Sequence, residues 1–155
     1  MQSMLDWIST TRVARGVADS ATLTAWLSAV HALAFTLVTG AALVANLRAL
    51  GALLARTELR DVVAPANRAI LVGLGVSVAT GGLLFSARAA EAAANGWFQL
   101  KMLLLVSAAA FQLTSLGAAA RERPLPRDRI AVSGAIGLLL WLGLAVTACA
   151  FILLE

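Results

Sequence analysis

The chain has 155 residues and a net charge of +4, and 61% of its residues are hydrophobic while 13% are charged. Soluble domains carry about 25% charged residues, so the composition excludes an ordinary soluble domain, and the length favours one domain over residues 1–155. The basic residues lie in short segments between long apolar runs, which indicates membrane orientation and argues against nucleic acid as a partner.

The first twenty residues, MQSMLDWISTTRVARGVADS, mix polar side chains with apolar ones such as Met4 and Trp7. This mixture predicts a short amphipathic N-terminal segment that lies on the membrane surface. The apolar run that follows is far longer than the about 7–15 residues of a signal-peptide core. We therefore expect a membrane span there rather than a cleaved leader.

Four apolar runs follow, at about residues 23–47, 69–87, 98–118 and 130–154. Each is close to or above the roughly 20 residues with which a helix crosses the hydrocarbon core. The runs show no alternation and are apolar on all sides, which predicts helices in lipid rather than strands or a soluble bundle. The sequence thus predicts an all-α, four-transmembrane-helix bundle. Pro65 is expected in the first turn before span two, and Pro124 and Pro126 should break the chain between spans three and four.

The distribution of cations predicts the orientation of the spans. Eight of the twelve Lys and Arg residues lie in two connections, namely Arg48, Arg56, Arg60, Arg68, Arg121, Arg123, Arg127 and Arg129. The positive-inside rule places both of these connections in the cytoplasm and both termini outside. The high Arg content is typical of a bacterial chain, so we expect a multi-pass protein of the bacterial inner membrane whose outer side faces the periplasm.

Small and polar residues predict which helix faces turn inward, because helices in lipid associate through close packing and hydrogen bonds. Span two has Gly73, Ser77 and Gly81 at four-residue spacing, supported by Gly75 and Gly82. The corresponding residues of the other spans are Thr24, Ser28, His31, Ala34, Ala42 and Ala45 in span one, Ser107, Gln112, Thr114 and Ser115 in span three, and Ser133, Gly134 and Gly137 in span four.

His31 is the single histidine, about 12 Å below the outer surface at 1.5 Å per residue. An ionisable residue inside a membrane is a functional hypothesis, and we expect the ring to point into the bundle. One interpretation is a neutral imidazole bonded to Ser28 or Thr80. A second is a soft copper site of His31, Met102 and Cys149. A third is b-type haem, held by His31 with Met102 or by two copies of His31 across a dimer.

Two segments resemble an uncharacterised bacterial family of small four-span inner-membrane proteins, a domain of unknown function. They are HALAFTLVTGAALVANLRALG, residues 31–51, and TGGLLFSARAAEAAANGWFQLKM, residues 80–102. A fainter similarity is to the copper-resistance protein D family, whose membrane helices also carry histidines near the outer face. The chain departs from the closer family in having Asn46 where an acid is usual and no histidine late in span three. The resemblance implies fold and topology.

The sequence shows no nucleophile–base pair, carboxylate pair or phosphate-binding loop motif, so we expect no enzymatic activity from this chain alone. The predicted function is that of a non-enzymatic integral membrane protein, an accessory or anchor subunit of a larger membrane assembly. Its partners would be the lipid bilayer and other membrane subunits or further copies of itself. The alternative is a periplasm-facing copper or haem site at His31 for copper handling or electron transfer.

Overall fold

A computed structural model describes residues 2–119 and 126–153, and in these residues all regular secondary structure is helical. The elements are α1 (Gln2–Ser9), α2 (Arg12–Ala18), α3 (Ala21–Leu50), α4 (Leu59–Ala87), α5 (Ala89–Ala94), α6 (Gly96–Phe111), a π-helical turn (Gln112–Leu116), α7 (Gly117–Ala119) and α8 (Arg127–Leu153). The predicted all-α fold is confirmed.

Four helical segments are long and apolar enough to cross a membrane: Ala21–Leu50, Leu59–Ala87, Gly96–Leu116 and Arg127–Phe151. They indicate a multi-pass membrane protein, as the hydropathy predicts. Successive spans run antiparallel, and they form one bundle in which α3 packs against α4 and α8, while α8 also packs against α6. The end of the bundle with α1, α2 and α5 is called the terminal end here, and the end with residues 51–58 is called the loop end.

The second span begins at Leu59, not near residue 69, so the expected place of Pro65 is wrong. Pro65 lies inside α4 rather than in its first turn. The side chains of Arg60, Asp61 and Arg68 made this segment resemble a loop, but a helix can extend past the hydrocarbon into water. Pro65 is exposed, and its missing N–H removes one bond near the start of a long helix. Pro124 lies outside the described residues.

The connections are fixed by helix caps. Ser20 Oγ accepts a hydrogen bond from the Leu23 amide at 3.3 Å at the start of α3. Gly51 ends α3 with φ of 77°, a left-handed conformation that glycine adopts without strain, and its amide donates to the Arg48 carbonyl at 3.0 Å. Arg48 Nε also donates to the Thr57 carbonyl at 2.8 Å. The loop-end connection is therefore tied back to the helix that it follows.

The N-terminal segment forms two helices that rest on the terminal end. Helix α2 buries Ala14 and Val17 against α3 and α4, and α1 contacts α5. Thr24 Oγ1 donates to the Val17 carbonyl at 2.7 Å, which joins α2 to the start of α3. Met4 and Trp7 are exposed, so the segment keeps an apolar outer face. Its contact with a membrane surface stays a prediction.

The interior contains one apolar cluster from all four spans and a second toward the loop end. The first consists of Val38, Ala42, Ile70, Ala108, Trp141 and Leu144. The second consists of Ala45, Ala49, Val63, Ala66 and Leu116. Small residues predominate on α3, which allows its backbone to approach both α4 and α8 closely.

Most of the residues expected to face inward are buried or partly buried, but four of them are exposed: Ser28, Gly75, Gly82 and Thr114. Gly75 lies two residues from the buried Gly73. Because each residue turns a helix by about 100°, such a pair faces opposite sides. In span two, the residues at four-residue spacing therefore face inward, and the nearby glycines that break the spacing face outward.

Candidate functional site

His31 lies on α3 with its ring against α4. Its Nδ1 is 3.1 Å from Thr80 Oγ1. A Cβ atom added to Gly81 would lie only 2.9 Å from His31 Cε1, so the glycine leaves the space that the ring occupies. The ring is partly buried and faces the bundle rather than lipid. Ser28, the other partner considered for His31, is exposed.

The hydrogen bonds of Thr80 determine which nitrogen of His31 carries the proton. The Thr80 hydroxyl donates to the Val76 carbonyl at 2.7 Å. A hydroxyl has one hydrogen, so Thr80 Oγ1 must accept from His31 Nδ1–H. In the neutral ring, therefore, Nε2 carries the free lone pair and is the atom that can bind a ligand.

Lys101 enters the same layer from α6. Its Nζ lies 5.5 Å from the ring centroid of Phe151 on α8. The Phe151 ring lies 5.9 Å from that of Phe98, which stacks on Phe85 of α4 at 5.4 Å. Three aromatic rings thus form a wall beside a partly buried ammonium group. We call His31, Ser77, Thr80, Lys101 and these rings the His31 site.

Two polar groups of the His31 site have no counterpart in the part of the chain that the structure describes. Among residues 2–119 and 126–153, the salt bridge joins Arg88 to Glu91, and Lys101 has no carboxylate partner. The Ser77 side chain is 7% exposed, and within the same residues its Oγ has no hydrogen-bond partner. Buried polar groups in proteins are nearly always paired. The site therefore has hydrogen-bonding capacity that its described neighbours do not use.

The copper site predicted from His31, Met102 and Cys149 stays a prediction, and two of its three side chains are exposed. Met102 is 40% exposed and follows Lys101, so its side chain turns about 100° away from the lysine. Cys149 is exposed as well. In the described part of the chain, no group of three His, Cys, Asp or Glu side chains is placed to hold a metal ion. The pairing of His31 with Met102 as haem ligands stays a prediction.

A second polar cluster lies toward the loop end, and little in the sequence indicates its geometry. Asn46 Nδ2 donates to Gln112 Oε1 at 2.9 Å and to the Ala42 carbonyl at 2.7 Å. Gln112 Nε2 donates in turn to Asn67 Oδ1 at 3.1 Å. Asn46 and Gln112 are fully buried. These three amides, which we call the amide cluster, join α3, α4 and the end of α6.

Glycines of α8 close the amide cluster. A Cβ atom on Gly137 would overlap Asn46 Oδ1 and lie 2.8 Å from Asn46 Cγ, and one on Gly134 would lie 2.8 Å from the Asn46 carbonyl oxygen. Asn46 Oδ1 has no conventional donor among the described residues. It faces a Cα hydrogen of Gly137 instead, a weak Cα–H···O contact.

Gln112 begins the π-helical turn, which widens the helix where the glutamine enters the interior. The presence of Asn46 and Gln112 in apolar spans could have indicated an interhelical hydrogen bond, because a side-chain amide inside a membrane must find a partner. Which partners they find, and the π-helical turn itself, carried no sequence signal. The amide cluster is closed by its own hydrogen bonds and by Gly137, which leaves no room beside the unpaired Asn46 Oδ1. His31 is only partly buried, and its Nε2 has no partner among the described residues, so the His31 site is the better candidate for binding.

Comparison with known proteins adds nothing to this description: no protein family, no curated protein and no solved structure matches the chain. The resemblance of residues 31–51 and 80–102 to a family of small four-span proteins stays a prediction. The site must therefore be interpreted from its own chemistry, and the chain is described by its fold as a helical, multi-pass membrane protein.

Proposed function

We propose that the chain is a non-enzymatic integral membrane protein that acts as an accessory or anchor subunit of a larger membrane assembly. The observation that carries the proposal is how little of the described chain lies outside the four spans. Apart from helix ends and short links, it consists of α1, α2, α5, α7 and residues 51–58. A protein so built can offer partners mainly the outer faces of its spanning helices.

Those outer faces carry large apolar side chains that suit lipid or another helix. Leu71 and Val78 of α4, Val106 of α6 and Leu139 of α8 are each more than half exposed. Helix α4 also has small residues on this side, where an added Cβ at Gly75 meets no described atom within 4 Å. A neighbouring helix can approach such a backbone closely.

Photo-crosslinking in the native membrane tests the accessory role. A photoreactive residue is placed at Val78, Val106 or Leu139, one outward position on each of three spans. A discrete protein adduct from at least one position is expected. Adducts with lipid alone at all three positions, in cells where the protein is made at its normal level, would contradict the proposal.

The proposal includes the predicted orientation, with both termini on the periplasmic side of a bacterial inner membrane. Its support is the concentration of arginines toward the loop end. Single cysteines introduced as Thr10→Cys and Arg56→Cys in a Cys149→Ser background would test it with a membrane-impermeant maleimide. Thr10→Cys should label in intact spheroplasts and Arg56→Cys only after permeabilisation. The reverse pattern would overturn the orientation.

A second candidate function is a cofactor site at His31 for copper handling or electron transfer. The hydrogen bond from Nδ1 to Thr80 favours it, because orientation of one imidazole nitrogen prepares the other for a metal. A single chain has one histidine, so such a site would be completed by Met102 after rearrangement or by a second copy. An optical spectrum and a metal assay of the purified protein test this function. A Soret band or stoichiometric copper that His31→Ala abolishes would support it, and absence of both signals in the parent would exclude it.

A further inference from the structure

Helix α1 has an apolar side that its packing does not use. Met4 and Trp7 are three residues apart, so they lie on the same side of α1. Their side chains are 65% and 67% exposed. In α2, by contrast, Ala14 and Val17 are 0% and 3% exposed and pack against α3 and α4. The N-terminal segment is therefore joined to the bundle by one apolar face, while the Met4 and Trp7 face of α1 lies on the molecular surface.

Hydrogen bonds fix the direction of this outer face. Thr11 Oγ1 donates to the Ile8 carbonyl at 2.8 Å at the end of α1, and it accepts from the Ala14 amide at 3.3 Å at the start of α2. Thr24 Oγ1 of α3 donates to the Val17 carbonyl at 2.7 Å. Helix α1 also contacts α4 and α5. The exposed side of α1 is therefore held in place relative to the first span.

The exposed tryptophans of the chain indicate the level at which α1 lies. Trp26 of α3 and Trp97 of α6 are 69% and 41% exposed, and both spans begin at the terminal end, a few residues earlier. Trp7 gives this end a third exposed indole, whereas Trp141, the remaining tryptophan, is 2% exposed. Exposed tryptophans collect where the hydrocarbon meets the headgroups, because the ring is apolar and its N–H is polar. The Met4 and Trp7 face continues this belt from the spans onto α1.

The charge of the segment indicates what kind of lipid it needs. The formal net charge of residues 2–20 is zero, because acidic and basic side chains are equal in number: Asp6 and Asp19 against Arg12 and Arg15. Attraction to anionic headgroups therefore contributes little, and burial of apolar side chains must supply the binding free energy. We infer that α1 inserts its Met4 and Trp7 face into the headgroup layer at the terminal end, in zwitterionic as well as in anionic lipid. This narrows the membrane contact that the sequence predicts for the whole segment to one side of α1.

Spin labels test the inference on the full chain in nanodiscs of phosphatidylcholine. One label is attached at Met4→Cys and a matched one at Arg12→Cys, both in a Cys149→Ser background. Arg12 is exposed and points away from the buried side of α2, so it serves as the control for a position in water. Collisions with oxygen report hydrocarbon, and collisions with a water-soluble nickel complex report water. We expect the oxygen-to-nickel ratio at Met4 to exceed that at Arg12 by about threefold or more.

Other results of the same measurement would overturn the inference. Equal ratios at the two positions would place the Met4 and Trp7 face in water. Low access of both reagents to the Met4 label would mean that protein, either a second copy or a partner, covers the face. When part of the phosphatidylcholine is replaced by phosphatidylglycerol, the ratio at Met4 should change less than about twofold, since the segment has no net charge. Insertion that requires phosphatidylglycerol would overturn the inference as well.

Replacement of Trp7 shows whether its indole anchors the helix. Trp7→Ser should lower the ratio at the Met4 label by about twofold or more, whereas Trp7→Phe, which keeps an aromatic ring, should preserve most of it. The line shape of the Arg12 label should be the same in both variants, because the Trp7 side chain is exposed and does not hold α2 in place. An unchanged ratio at Met4 in Trp7→Ser would contradict the insertion. The outcome depends neither on the accessory role nor on which side of the membrane the termini face.

Discussion

Replacing Gly137 by alanine should destabilise the bundle through the amide cluster. The new Cβ would overlap Asn46 Oδ1, and it would lie 3.2 Å from Asn46 Nδ2. Asn46 is fully buried and held by two hydrogen bonds, so it cannot move aside freely. Overpacking costs about 1–3 kcal/mol, and loss of one interhelical hydrogen bond in a membrane costs about 0.6 kcal/mol. Higher helix propensity returns up to about 1 kcal/mol. The net expected loss is about 1–3 kcal/mol.

Unfolding of the purified protein in detergent, followed by circular dichroism, measures this loss. Gly143→Ala is the matched control on the same helix, because its Cβ would meet Leu104 Cδ1 at an ordinary 3.7 Å. The control should unfold like the parent or slightly later. In an Asn46→Ala background the Gly137→Ala change should cost less, since the overlapping atoms are gone. Equal stability of Gly137→Ala and Gly143→Ala, or strict additivity with Asn46→Ala, would refute the packing described for the amide cluster.

Three further predictions address other parts of the molecule. Gly73→Ala places a Cβ 3.1 Å from a backbone oxygen of α3, so it should lower the free energy of unfolding by about 1–3 kcal/mol. Gly75→Ala on the outer face should leave the stability unchanged. Equal effects of the two changes in a detergent unfolding assay would contradict this. Gln112→Leu leaves two asparagine amides without their partner and should cost about 1–3 kcal/mol in the same assay, and an unchanged midpoint would contradict it. The hydrogen bond from Arg88 lowers the pKa of Glu91. The small contribution of this hydrogen bond to stability is therefore present above the ordinary glutamate pKa and is lost as the pH falls through the lowered pKa of Glu91. Arg88→Gln should raise the Glu91 pKa in an NMR titration. An unchanged Glu91 pKa would count against this pairing.

The number and type of spans could be predicted from sequence because hydrocarbon thickness imposes length and apolarity on each helix. The start of α4 could not, because beyond the hydrocarbon a helix may carry any polar residue, as Arg60 and Asp61 show. Four-residue spacing identified the inward Gly73 and Ser77, since it follows from helix geometry alone. The same geometry places Gly75 on the opposite face from Gly73, so the expectation that Gly75 supports the inward face was wrong.

The two candidate sites also have features that could be predicted from sequence and features that could not. The inward direction of His31 could be anticipated, because an unpaired imidazole in lipid is costly. Thr80 could be anticipated as one of two partners of His31, and it is the one that the ring contacts. The choice between Thr80 and Ser28 could not be made from sequence, since it depends on how the two helices pack. The same holds for Asn46 and Gln112, which lie 66 residues apart. Pairings across a bundle depend on helix rotation and register, and composition does not encode these quantities locally.

The accessory role is tested most directly by the mass of the complex that contains the chain when it is released gently from its native membrane. Native mass spectrometry of the epitope-tagged protein, expressed at its normal level, gives this mass and the stoichiometry of the components. We expect a discrete complex that contains the chain with other membrane subunits or further copies in a fixed ratio. A single 16.0 kDa chain carrying only lipid, reproducibly and in several mild detergents, would contradict the proposed function.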